Sequence, residues 1–209
     1  DNNWFPLTDG LGFSLTLLSE VAPLDNWGMA SSWGVSSAVN GSPGQNDPPP
    51  PPRPTVLVNE ALSGTVPPAV DLVELHNPTT SPVNLGGWFL SDAFDTPRKF
   101  MIPATNIPPG GYVVFSEADF NNTNSPNVLK AFALSSAGDD IWLFSGDGVN
   151  LTGYAHGLAF GAAAEGVTFG RYINSQGEEL FPAQVLPTLG TNNSGPRVGP
   201  VVISEIHYH

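Results

Sequence analysis

The chain has 209 residues, 40% hydrophobic and only 12% charged, enough to fill the core of one or two domains under a surface of Ser, Thr, Asn, Gly and Pro. Its net charge of −13, from 19 acidic and 6 basic residues, argues against nucleic acid and anionic lipid, which need clustered Lys and Arg, but is compatible with divalent cations. It has no cysteine, which excludes thiol catalysis, a disulfide framework and thiolate metal sites. The 23 glycines and 22 prolines favour short strands joined by turns and disfavour helices. Low charge with abundant Asn, Thr, Gly and Pro is the habit of extracellular β-proteins, so a secreted or cell-surface location is expected. The chain opens at Asp1 with no apolar leader or membrane span, and reads as a mature or trimmed product.

Taken in chain order, Trp4–Leu18 supplies strand-like material, and Asn26–Trp33 is expected to fold over it. Pro48–Pro52, with Arg53 and Pro54, forms a polyproline stretch, a semi-rigid linker of about 3.1 Å per residue that separates residues 1–47 from the rest. Short β runs follow. Val56–Ala61 is the first. Asp71–Pro78 alternates, with Leu72 and Glu74 on one face and Val73 and Leu75 on the other. Trp88–Asp92, Lys99–Pro103 and Gly110–Phe115 come next. Asp140–Phe144 runs through the turn Ser145–Gly148 into Val149–Tyr154, and Val167–Tyr172 ends the series. Glu117–Phe120 is expected to be a one-turn piece. Strands at this spacing predict an all-β antiparallel sandwich. Leu75, Trp88, Leu90, Phe100, Val113, Trp142 and Leu143 are its expected core, with Trp88 and Trp142 as large plugs.

The chain also repeats itself. Pro54–Ala61 corresponds to Gly199–Ile206, which maps Glu60 onto Glu205. Gly12–Leu15 echoes Gly166–Phe169, and Ser42–Asn46 echoes Thr188–Asn192. Residues 1–47 thus read as the C-terminal part of a preceding repeat, 54–192 as a full repeat, and 193–209 as a linker and the first strand of a following one.

The central segment resembles bacterial lamin-tail domains. The carrying residues are Val58-Asn59-Glu60, Glu74-Leu75-His76-Asn77-Pro78, Leu85-Gly86-Gly87-Trp88-Phe89-Leu90-Ser91-Asp92, Phe100–Pro103, Pro108–Tyr112 and Gly138–Leu143. The resemblance implies an immunoglobulin-like β-sandwich, a module of large secreted or surface proteins, and no catalytic residues.

The chemistry-bearing residues agree with a non-enzymatic reading. No G-x-S-x-G, H-E-x-x-H or phosphate-loop motif is present. Glu60 and Glu74 form a conceivable carboxylate pair for glycoside hydrolysis, but each sits in a strand, where sheet-edge or turn bonding is the expected role. His207 and His209 would share one strand face as a possible metal pair, with no third ligand nearby. His76 and His156 read as turn or surface residues. Calcium is the cofactor that the turn carboxylates Asp92, Asp95, Asp139, Asp140 and Asp147 would suit. Their spacing matches no calcium loop, and ordinary Asx turns are expected. Trp4, Trp27, Trp33, Phe89, Phe94 and Tyr112 would stack on sugars if exposed, but packing against the neighbouring domain is their expected role. The sequons at Asn40, Asn121, Asn150 and Asn192 mark possible glycosylation.

Two functions are expected in order. The first is structural assembly, with the apolar, β-branched run Val201, Val202, Ile203, Ser204, Glu205, Ile206, His207 and Tyr208 donated as a strand to a neighbouring subunit, head to tail, giving a filament. The second is carbohydrate or surface binding within an adhesin. The expected partners are further copies of the chain or neighbouring domains of the same protein, with glycans second and neither nucleic acid nor membrane insertion.

Overall fold

A computed structural model describes residues 4–199 together with Glu205 and His207. The strands are β1 (Phe13–Leu17), β2 (Trp33–Val39), β3 (Leu57–Leu62), β4 (Leu72–His76), β5 (Val83–Asn84), β6 (Phe89–Ser91) and β7 (Phe100–Met101). They continue as β8 (Asn106–Ile107), β9 (Tyr112–Ser116), β10 (Asp139–Gly146), β11 (Leu151–Phe160), β12 (Thr168–Gly170), β13 (Tyr172–Ile173) and β14 (Glu179–Leu180). One α-helical turn, α1 (Glu117–Phe120), is closed by a capping box from Ser116 and Asp119.

Two four-stranded antiparallel sheets face each other, in the orders β12-β3-β4-β9 and β11-β10-β6-β7. This is the all-β, immunoglobulin-like sandwich that the turn spacing predicts. Alternation builds the core: Val73 and Leu75 from β4, Leu90 from β6, and Ile141 and Leu143 from β10 all point inward. Phe100, Trp88 and Leu158 fill between them, and Trp88 tilts against Tyr154. Gly87 makes the entry of Trp88 possible. Its φ is +85°, and a Cβ there would sit 2.6 Å from the backbone nitrogen of Gly148.

Two expected core residues fall elsewhere. Val113 is only partly buried at the rim, because β9 is the edge strand of its sheet. Trp142 alternates with Ile141 and Leu143, so its ring lies on the outer face of its sheet. There it joins a second cluster made by Leu7, Phe13, Phe89 and Phe144, with Phe94 edge-on to the indole at 4.8 Å.

That second cluster explains residues 4–47. β1 and β2 form a separate antiparallel hairpin, and its Phe13 and Val35 cover the outer face of the β10 sheet. The prolines that follow carry no regular structure. Arg53 then clips the two parts together. Its guanidinium donates to the carbonyls of Val35 (3.2 Å) and Ser36 (2.8 Å) on β2, and of Thr152 (2.8 Å) on β11. Trp27 and Trp33 meet edge to face at 6.4 Å in the β1–β2 connection, each indole N–H spent on a backbone carbonyl.

Candidate functional site

The outer face of the β3 sheet carries a buried polar cluster. β3 bulges between Val58 and Glu60, which turns Asn59 and Glu60 outward while Val58 and Ala61 stay in the core. Glu60 lies directly opposite Glu74 on β4, and both are fully buried. Two carboxylates in such a place need donors. They get them from the segment 184–197, which lies across the sheet like a lid. Glu60 accepts from the backbone N–H of Thr188 (2.9 Å) and from its hydroxyl (2.7 Å). Glu74 accepts from the amide of Asn59 (2.8 Å) and the backbone N–H of Gly190. Asn193 exchanges bonds with Asn59 and donates to the Arg171 carbonyl, and Gln184 closes the cluster beneath Gly170. Burial raises the Glu74 carboxyl above the ordinary range, opposed by the donors from Gly190 and Asn59. The pair holds a loop through these bonds to Thr188 and Gly190.

The histidines serve packing. His76 stacks on Tyr112 at 4.5 Å, and burial lowers its pKa. His156 accepts from the Val58 N–H through Nδ1 (3.0 Å) and faces Glu179 with Nε2 (3.2 Å). Glu179 is pulled down to about 2, first by that hydrogen bond and then by the hydrogen bond and charge of Arg171, against its desolvation. Among the described residues neither histidine bonds a hydroxyl nucleophile.

The turn carboxylates stay apart. Asp92 pairs with Lys99, Asp95 accepts from Thr96, Asp139 from the N–H groups of Ser135 and Asp140, and Asp147 from those of Val149 and Asn150. Asp140 lies half-buried at the start of β10. Among the described residues no three His, Cys, Asp or Glu side chains are grouped as metal ligands. Asn40, Asn121, Asn150 and Asn192 are all exposed. Of the expected donor strand, Glu205 and His207 are exposed and outside regular structure; Val201, Val202, Ile203, Ser204, Ile206, Tyr208 and the metal candidate His209 lie outside the described residues. Trp4 is half-buried beside the hairpin, Phe89 fully buried, Phe94 packed on Trp142, and the Tyr112 hydroxyl donates to Asn192 (2.8 Å).

The β1–β2 hairpin is a two-stranded sheet with an unpaired edge among the described residues. Gly12 and Leu18 spend their backbone groups on the β2 side, bonding Asn40 and Ser32. Strand alternation therefore points the N–H and C=O groups of Leu15 and Leu17 the other way, where no described strand pairs with them. A groove of about 510 Å³ lies over one face of the hairpin, lined by Ser14, Thr16, Leu18, Ser42 and Asp47 among others. Leu18, Val21, Leu24 and Met29 stand exposed at the end of the hairpin. Sequence reasoning anticipated strand material here and aromatic packing against the neighbouring domain, but not that the docked surface is the outer face of the β10 sheet. The signal was the unbroken run Ile141-Trp142-Leu143-Phe144, which marks a strand covered on both faces.

No curated protein and no solved structure matches the chain at a significant level. The family model for the lamin tail domain matches residues 49–157, more than half of the chain and both central β-sheets up to β11, and the chain belongs to the lamin tail domain family.

Proposed function

We propose that this chain is a non-enzymatic assembly module, a subunit of an extracellular or cell-surface filament joined head to tail by strand donation. The lamin tail domain is an immunoglobulin-like structural and interaction module. What supports the finer reading is one juxtaposition: an unpaired strand edge on a hairpin clamped to the domain, in a chain whose residues 199–206 repeat the first strand of that domain. The slot for this motif in its own domain is already filled by β3, Leu57–Leu62, so the second copy of the motif needs a sheet elsewhere. The low-charge composition, rich in Asn, Thr, Gly and Pro, supports an extracellular location. Sedimentation velocity of the full chain against a chain ending at residue 198 tests it. Concentration-dependent assembly that disappears on truncation supports strand donation; identical sedimentation contradicts it.

A carbohydrate-binding role has weaker support. The aromatic side chains that would stack on sugars are committed to packing, as Trp27 with Trp33 and Phe94 with Trp142 illustrate.

A further inference from the structure

We propose that the open edge of β1 is the acceptor for residues 201–207 of a second copy of this chain, with Ser14, Leu15 and Thr16 opposite His207, Ile206 and Glu205. This rests on the head-to-tail reading above and deepens it by naming the site and the register.

The complete domain supplies the template. There, β12 lies between two neighbours. Thr168, Phe169 and Gly170 pair with Leu62, Ala61 and Glu60 of β3 on one side. On the other side β12 turns back into a hairpin, with Phe169 bridging Ala183, the Gly170 N–H on the Pro182 carbonyl and the Gln184 N–H on the Thr168 carbonyl. The hairpin then leads into the lid, whose Thr188 takes the Glu60 carboxylate and whose Asn193 takes Asn59.

β1 reproduces the hairpin side of that arrangement. Gly12–Leu15 matches Gly166–Phe169 in sequence, so Ser14 and Thr16 stand for Thr168 and Gly170. The backbone parity agrees: even-numbered residues bond β2, as Thr168 and Gly170 bond their hairpin partner, while Leu15 and Leu17 face outward, as Phe169 does toward β3. Side chains agree too. Phe13 packs inward, whereas Ser14 and Thr16 line the groove on the opposite face. Residues 42–47 border the groove where the lid borders β3. Ser42 matches Thr188, and its hydroxyl is already bonded to a carboxylate, that of Asp47 (2.8 Å). The β3 position is the one left unfilled, and Gly199–Ile206 is the segment that carries the β3 motif, with Glu205 in the place of Glu60.

The occupant must come from another copy. The hairpin covers the outer face of the β10 sheet, whereas the chain leaves the domain from the lid on the outer face of the β3 sheet, where Pro196 bridges Gln184 and the Arg197 N–H bonds Ala183. The lid, the two sheets and the hairpin are four stacked layers, which puts these faces on the order of 30 Å apart straight through the domain. The eight steps from Arg197 to Glu205, the first residue of the register, span roughly 28 Å at full extension, and the path around the domain is longer still. The point where the chain leaves the domain and the acceptor edge thus lie on opposite faces of one subunit, the heterologous geometry that propagates into an open chain.

The absence of cysteine gives a clean test. Full chains carrying Ser14→Cys are mixed with full chains carrying His207→Cys and oxidised mildly; opposed residues in such a pair meet the spacing a disulfide needs. The proposal expects most of the mixture to become a covalent dimer, a ladder of oligomers from the double variant, and the same result from Thr16→Cys with Glu205→Cys. Val114→Cys, on the β9 edge, is the competing acceptor and should give no dimer. The proposal is overturned if the double variant closes on itself as a monomer. A dimer with Val114→Cys in place of Ser14→Cys also overturns it, while leaving the tail as donor. No dimer from any pair, with sedimentation unchanged by truncation at residue 198, removes the head-to-tail reading as well.

Discussion

Replacing Gly157 by Ala is a sharp probe of how the β10 sheet is covered on its outer face. Gly157 pairs with Trp142 across β10 and β11, and the indole lies against it. A Cβ at Gly157 would come within 2.2 Å of the ring, far inside contact distance, so the indole has to move. It cannot move freely, because Phe94 meets it edge-on at 4.8 Å and Phe144 flanks it at 6.3 Å. Overpacking of this kind costs about 1–3 kcal/mol. Trp142→Ala alone removes a ring that buries about 150 Å² or more, worth about 2–4 kcal/mol. In that background the added methyl of Gly157→Ala meets open space, and a strand alanine in place of glycine is neutral or slightly favourable. The double-mutant cycle should therefore show a coupling of at least about 1 kcal/mol, read by urea unfolding followed by far-UV circular dichroism. If Gly157→Ala costs the same with and without Trp142, the stacked geometry is wrong.

Other consequences concern the clamps. Arg53→Ala removes three charge-assisted bonds and should free the β1–β2 hairpin, seen as faster amide exchange at Trp33–Val39 and cleavage near the proline run, at a stability cost of about 2–3 kcal/mol; unchanged exchange would refute the clip. Thr188→Ala leaves one oxygen of the buried Glu60 carboxylate without its donor and should cost about 1–3 kcal/mol, with the loss of protection confined to the lid, residues 184–197. Glu179 sits lower in the fold than its ordinary 4.5, at about 2, so its contribution is complete above pH 4.5 and is lost as the pH falls toward 2. Glu179→Gln should flatten the acid limb of the stability–pH curve in that window; an unaltered limb contradicts the pairing.

Much of this fold is legible in the sequence because a half-buried strand writes itself as alternation. Val73 and Leu75 against Leu72 and Glu74 is the clearest case, and the lamin-tail motifs sit at its strand ends. What alternation does not announce is a second covering layer. Trp142 and Phe144 look like core from composition, yet they are covered by Phe13 and Val35 of a hairpin that the prolines set apart in sequence. Arg53 gives no sign of its role, since its three partners are backbone carbonyls, invisible in any side-chain pattern. The glutamates are partly legible. Their strand positions imply turn bonding rather than catalysis, but which turn they hold depends on a bulge at Asn59 and on a lid more than a hundred residues away in sequence. The open edge of β1 is legible only by joining the two: the repeat names the missing strand, and the backbone parity of Gly12 and Leu18 locates its place.

The proposal that residues 199–209 join one copy to the edge of the next is tested most directly by a synthetic peptide of that sequence. Added in excess to the full chain, the peptide should occupy acceptor edges and end each assembly that the proposal expects, lowering the mean size by light scattering in proportion to its concentration, while a scrambled peptide of the same composition has no effect. Assemblies whose size stays constant at saturating peptide would contradict strand donation.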